Sequence, residues 1–258
     1  MKTVDINLIL GCPGTHTSGV LASSELLEEM DRQDIESGWV THLAGAVQSV
    51  EVGNRLLLDE IRRAGSDRRR LTPFPVVNWN LPDGALDWET WGDLGCRGIR
   101  VCPSFYGPSE NPAAVDALLA RLADLKWILQ VPLRPFCGAA AQTGKIADAV
   151  SLAARRTDLP VVVVCPKRQE FADVCAALRS AGNLHVDIGN LSTGTAVRDM
   201  VTKGYADRLA SGSGFGVCCS TPARDIVRYS PIPASVRESI LHGNAVRLTG
   251  GNGGRAGR

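Results

Sequence analysis

The side chains in this sequence that could do chemistry stand at the ends of short apolar runs. Reading the polar residues there gives Asn7, His42, Asn78, Arg100, Arg134, Lys167, Asp187 and Asn190. Imidazole and carboxyl groups can take and return protons. Guanidinium and ammonium groups hold carboxylates or phosphates through charge-assisted hydrogen bonds. Arg134, Lys167 and Arg168 follow two successive runs, and with Arg100 they would make an anion pocket. A plainer account competes with it. Arg100 and Asp187 lie inside the runs "GIRVCP" and "LHVDIGN", where either charge alone would be costly to bury. An ion pair between Arg100 and Asp187, holding the interior together, is the expectation.

The cysteines invite the same double reading. There are eight, with no C-x-x-C spacing. Cys12, Cys102, Cys137, Cys165 and Cys218 fall at or just after run ends. With His16 or His42 they could form a soft-metal site or a nucleophile pair. Cysteine is also among the most buried residue types and packs as a small hydrophobe, which is the reading we take. Thiols in apolar runs, in a chain that needs no disulfide scaffold, point to a reducing, cytoplasmic setting. Tyr106, in "SFYGP", reads as a packed loop aromatic, with a cover over the site as the alternative.

Something must bring these residues to one place. The chain has 258 residues, 44% of them hydrophobic, and a net charge of +1. That is enough for a full core, and it argues against nucleic acid or an anionic membrane as partner. "MKTVDINLILGC" imitates a lipoprotein signal, but Asp5 and Asn7 break its apolar run, so it reads as a strand. Apolar runs then alternate with helical patterns. Strands are predicted near 4–10, 39–44, 74–79, 98–103, 127–133, 160–165, 184–189 and 208–211. Helices follow them, one capped by Ser23 or Ser24, another carrying Val52, Leu56 and Ile61 on its apolar stripe and stopping at Gly65. Eightfold alternation in about 250 residues predicts a single (β/α)8 TIM barrel. The barrel is expected over 1–250, with a disordered Gly-rich tail at 251–258. An open doubly wound sheet would want a G-x-G-x-x-G loop after its first strand, and "GCPGTHTSG" lacks that spacing.

Five segments in the right order resemble the amidohydrolase superfamily, in its amidohydrolase-2 branch of metal-dependent TIM-barrel hydrolases. "VDINLILG" is similar to the opening strand Ile-Asp-x-His-x-His-x-Gly. "SSELLEEMDRQDIESGWV" resembles the first helix and second strand. "WGDLGCRGIRVCPSFYG" resembles a strand that ends in Pro. "RLASGSGFGV" is similar to Arg-x-Leu-x-Gly-Ser/Thr-Asp-x-Pro, and "ESILHGNAVRLTG" to the closing helix.

The resemblance implies a divalent metal, whose bound water would titrate at about 7. The family's opening histidines fall on Asn7 and Ile9, its later-strand histidine near Cys165, and its aspartate on Gly214. Isoleucine and glycine offer no ligating side chain, and none of the four histidines, His16, His42, His185 and His242, restores the set. "DIN" and the glutamine of "LQVPLR" resemble a side branch lacking the metal ligands. No metal and no cofactor are therefore expected. Two functions stay open: a hydrolase or lyase of a small anionic molecule without the metal centre, or a non-catalytic barrel kept as a binding or partner subunit. The substrate-binding candidates are Asn7, His42, Asn78, Arg100, Arg134, Lys167 and Asp187, and a homo-oligomer is among the assemblies expected.

Overall fold

The computed structural model describes residues 2–250 apart from 12–21, 82–85, 108, 110, 135–143 and 192, with Ser104 described by its backbone. Cys12, His16, Cys137 and the tail at 251–258 lie outside the described residues.

The strands are β1 (Thr3–Leu10), β2 (Ile35–His42), β3 (Leu71–Pro73), β4 (Val76–Val77), β5 (Gly98–Val101), β6 (Ile128–Pro132), β7 (Val161–Val164), β8 (Leu184–Asp187) and β9 (Leu209–Ala210). The helices are α1 (Ser23–Arg32), α2 (Ala44–Val47), α3 (Val50–Arg63), α4 (Trp88–Asp93), α5 (Pro103–Tyr106), α6 (Pro112–Asp124), α7 (Ile146–Arg155), α8 (Phe171–Ser180), α9 (Gly194–Thr202), α10 (Thr221–Arg228), α11 (Ala234–Glu238) and α12 (Asn244–Leu248). All paired strands run parallel, in the orders β1-β2-β3 and β4 through β9.

Two seams turn these sheets into a barrel. β3 and β4 are halves of one stave broken at Pro75, which has no N–H to give a ladder. Phe74 N donates to Val40 O at 2.8 Å on one side of the break, and Arg100 N to Pro75 O at 2.8 Å on the other. The second seam joins last to first. Ile6 N donates to Ser211 O at 3.0 Å, Gly214 N to Asn7 O at 2.8 Å, and Ile9 N to Phe215 O at 2.7 Å. Gly216 sits at φ +108, and a Cβ there would collide with Ile9 O, so only glycine lets this seam close.

One apolar cluster fills the barrel itself, with Val4, Ile6, Trp39, Phe74, Ile128, Val162, Val164, Cys165 and Ala210 buried together. Trp39 and Phe74 stack within it, 4.8 Å between ring centroids. A larger cluster lies between strands and helices. Strands buried on both faces need no polar alternation, which is why β7 is Val-Val-Val-Val.

Several local expectations are corrected. The second stave starts at Ile35 rather than 39, and the third at Leu71 rather than 74. β2 ends at His42 because α2 begins almost at once, with His42 Nδ1 accepting Ala44 N–H at 3.2 Å. Neither Ser23 nor Ser24 is the N-cap of α1; that residue is Ala22. Ser23 N and Oγ donate instead to buried Glu60, at 2.7 and 3.0 Å, tying α1 to α3. The buried stripe of α3 holds Val50, Gly53, Leu57 and Ile61, while Leu56 faces out. No helix among the described residues is long and apolar enough to cross a membrane.

Candidate functional site

Inside the C-terminal half of the barrel runs a chain of polar side chains from four staves. Arg100, on β5, is 2% exposed. Its Nε and Nη2 donate to Gln130 Oε1 at 3.0 and 2.8 Å, and its Nη2 donates to Asn7 Oδ1 at 2.8 Å. Gln130, on β6, is anchored in turn by Nε2 donating to Ile6 O at 2.6 Å. Asn7 Nδ2 donates to Cys165 Sγ at 3.2 Å, just past the end of β7. A register shift in β1 between Asp5 and Leu8 marks a bulge at Asn7, a device that re-aims a side chain. Asn7 is further fixed by its backbone, whose N–H donates to Asp5 Oδ1 at 2.9 Å.

Beside this chain lie two buried carboxyls. Asp187, the last residue of β8, accepts N–H groups from Gly189 at 2.8 Å, Gly212 at 3.0 Å and Cys165 at 3.3 Å. Burial pushes its carboxyl up to about 7, with the Asp5 carboxylate adding to the rise and the three N–H donors opposing it. Asp5 is also raised by burial, against hydrogen bonds from Ser213 and Asn7. The close approach of the last stave is what encloses Asp187: a Cβ on Gly212 would meet its carboxyl carbon at 2.9 Å.

The expected Arg100–Asp187 ion pair is absent among the described ion pairs. The two residues find different partners, amide oxygens for the guanidinium and backbone N–H groups for the carboxyl. Of the cations expected in an anion pocket, Arg134 is already engaged. Arg134, 6% exposed, is engaged by Glu170 in a two-point ion pair, Nη1 to Oε2 at 2.9 Å and Nη2 to Oε1 at 2.7 Å. Its Nη1 also donates to Cys165 O at 2.8 Å. Glu170 was not visible as a partner because it lies 36 residues away along the chain. Lys167 stands half-buried at the rim, its backbone N–H on Glu170 Oε2 at 2.7 Å, and Arg168 is exposed.

The remaining candidates scatter. His42 is buried against Gly11; burial lowers its pKa, with the Glu60 carboxylate partly opposing. Asn78 is half-buried and turns its Oδ1 to Asn80 N–H at 3.0 Å, a local turn contact. Tyr106 packs with Ala46, Val50, Val76 and Cys102, its hydroxyl donating to Gly45 O. The Cys102 thiol is pushed up to about 12 by burial, so it stays protonated and packs as a small hydrophobe. Cys165 has φ +58, an uncommon conformation for a side-chain-bearing residue, held by its contacts to Asn7, Arg134 and Asp187.

The fold and this interior define a barrel of the amidohydrolase kind. A family profile described as Amidohydrolase matches residues 39–250. The chain belongs to that family. No curated protein matches the sequence. Solved structures agree on the fold. A 2,6-dihydroxybenzoate decarboxylase complexed with 2,6-dihydroxybenzoate superposes with TM-score 0.72 at 15% identity, over 96% of this chain and 98% of that one. A dihydroxybenzoic acid decarboxylase from Polaromonas sp., with bound manganese and the inhibitor 2-nitroresorcinol, gives 0.72 at 12% identity over 96% of each chain. A TIM-barrel protein from Bordetella bronchiseptica gives 0.67 at 19% identity, over 96% of this chain and 98% of that one.

The donors that the described residues offer do not fit a divalent ion at the family's place. Asn7 Oδ1 already faces a guanidinium, and the Asp187 carboxyl beside it is taken up by three backbone N–H groups. Ile9 is fully buried and apolar, and the Gly214 N–H is spent on Asn7 O. No group of three or more His, Cys, Asp or Glu side chains converges among the described residues.

Proposed function

We propose that this barrel is a metal-independent lyase or hydrolase acting on a small carboxylic acid at the C-terminal ends of its strands, with Asp187 as the proton-transfer group. The observation that carries the reading is Asp187 itself. It is a fully buried carboxyl at a strand end, pushed up to about 7, where a general acid is both protonated and able to release its proton. The decarboxylases among the structural neighbours suggest one substrate class, the hydroxybenzoates. In a decarboxylation the electron pair of the C–CO2 bond stays on carbon, CO2 leaves, and the carbon takes a proton. Asp187 in its protonated form is the donor for that last event. In a hydrolysis the same carboxyl, ionised, would take a proton from the attacking water.

A test uses chelator-treated protein, a panel of hydroxybenzoates and simple esters or lactones, and product detection by chromatography. Decarboxylation should fall off above about pH 7 as Asp187 ionises, hydrolysis of an ester or lactone should fall off below it as Asp187 is protonated, and Asp187→Asn should abolish either while binding persists. Turnover that is unchanged in Asp187→Asn removes Asp187 from this role. If every substrate fails yet a carboxylate still binds, the second reading gains: a non-catalytic binding barrel.

A further inference from the structure

We infer that the N-terminal end of the barrel, opposite the proposed reaction site, carries a second binding site, for a phosphate monoester with an apolar group. Neither Asp187 nor the barrel interior takes part in it.

The place is a solvent-open cleft of about 380 Å3 at the starts of β5, β6 and β7, a volume in the range of small-ligand pockets. Arg97 O accepts Ile128 N–H at 2.8 Å, and Pro160 O accepts Leu129 N–H at 3.0 Å. Arg97, Trp127 and Pro160 therefore stand side by side, each just before its strand. α12 packs Val246 and Leu248 against the interior cluster and brings Arg247 to the same cleft. Lys126 reaches it from the turn after α6. Three cations from three separate elements thus line one cleft, and none makes an ion pair among the described residues. Both guanidiniums are oriented by neutral oxygens. Arg97 Nη1 donates to Cys96 O at 2.8 Å, and Arg247 Nη2 to Asp207 O at 2.8 Å and Asn244 Oδ1 at 2.9 Å. The carboxylate that lines the cleft, Asp158, is taken by Arg156 at 3.0 and 2.8 Å.

The backbone at Lys126 points the same way. Its φ is +56, with its N–H on Ala123 O at 2.9 Å. After a helix that position favours glycine, because a Cβ there costs energy. A cation gains from the helix dipole, but a lysine in the last turn would gain as much without the left-handed backbone. Nor does the dipole bring Arg97 and Arg247 alongside. A dianionic phosphate would meet all three through charge-assisted hydrogen bonds. Leu125, Trp127 and Leu248 offer its substituent an apolar wall.

Calorimetric titration with phenyl phosphate and with inorganic phosphate, at fixed ionic strength, tests the site. Phenyl phosphate should bind once per chain and more tightly than inorganic phosphate. Its affinity should fall as pH drops through about 6, where the dianion takes up a proton, and as salt rises. Lys126→Gly is the decisive variant, since it removes the charge and relieves the backbone. It should melt no lower than the wild type, yet bind phenyl phosphate about tenfold more weakly. Arg97→Gln and Arg247→Gln should weaken binding likewise. The double variant Lys167→Gln, Arg168→Gln, at the opposite rim, should bind as the wild type does. The site is refuted if no saturable binding appears below about 10 mM, if Lys126→Gly binds as the wild type does, or if the rim variant is the one that loses affinity.

Discussion

Arg100 and Arg134 are both buried arginines at neighbouring barrel strands, 2% and 6% exposed, and they have been given opposite surroundings. Arg134 meets a carboxylate. Burial raises the Glu170 carboxyl, but the hydrogen bonds from Arg134 and the Lys167 N–H outweigh it, and the net direction is down. The result is a clamp that fastens the end of β6 to the turn after β7. Arg100 meets two amides that are themselves anchored. Among the described contacts these amides set its orientation and give each of its N–H groups in the frame a fixed acceptor. The difference teaches that burial of an arginine says little until its partner is named. The carboxylate on Arg134 ties two strand ends together, and the amides on Arg100 fix which way its guanidinium faces.

The largest expected effect is on the amide frame. Arg100→Ala strands Asn7 Oδ1 and Gln130 Oε1 in the interior and leaves a cavity, a loss of about 4 kcal/mol in denaturant unfolding. That loss should be nearly independent of salt, because the interior is poorly screened. A cost under about 1 kcal/mol would mean that the frame is not the guanidinium's work.

The carboxyls beside the two arginines separate by pH. Asp187 titrates near 7 when folded and near 3.8 when unfolded. Across that window the native state keeps a proton that the unfolded chain has lost. The unfolded state binds fewer protons, so this contribution to stability falls as pH rises from about 4 to about 7, by at most about 1.4 kcal/mol per pH unit. Glu170 is lowered, so its contribution is present above the ordinary Glu range and fades as pH falls through it. His42 is lowered and His185 is pushed down to about 4, both mainly by burial, and they work against Asp187 over much of the same window. The quantity to measure is the difference in unfolding free energy between wild type and Asp187→Asn at pH 5, 6 and 7. It should shrink as pH rises. A flat difference would mean that Asp187 is ionised throughout.

Arg134→Ala comes next, at about 2 kcal/mol, because Glu170 keeps the Lys167 N–H and some solvent. A double-mutant cycle with Glu170→Gln should give a coupling of about 1–2 kcal/mol that weakens with salt. The same cycle between Arg134 and Arg100 should give much less.

How far the sequence carries one into this picture depends on distance along the chain. The eight staves were legible because each is a local apolar run with a helix after it, and the family was legible because its segments keep their order. Stave starts were misjudged where tertiary packing extends a strand beyond its apolar run, as at Ile35 and Leu71. The polar residues Asn7, Arg100, Arg134 and Asp187 were found as side chains but not as pairs. Arg100 and Asn7 are 93 residues apart, and nothing local in "GIRV" chooses an amide over a carboxylate. Gln130 was noticed in "LQVPLR" yet not placed in the site, since its importance lies wholly in what it touches. Asp5 and Glu170 were missed because they act through backbone N–H groups and a distant arginine, which leave no spacing signal.

The smallest effect lies at Cys165, which touches Arg134 directly and Arg100 through Asn7. Cys165 accepts Arg134 on its carbonyl and Asn7 on its sulfur, and gives its N–H to Asp187. Its φ of +58 is a conformation that costs an ordinary residue about 1–2 kcal/mol and glycine almost nothing. Cys165→Gly keeps the carbonyl and the N–H in place and removes the CH2–SH side chain. Relief of the backbone should offset the lost sulfur contact and packing, so the net change should stay within about 1 kcal/mol. Cys165→Ala loses the sulfur without the relief and should be the less stable of the two. Thermal unfolding of both variants reads the order directly. If alanine matches or exceeds glycine, the backbone at 165 is not strained, and the sulfur is what joins the charged frame to the clamp.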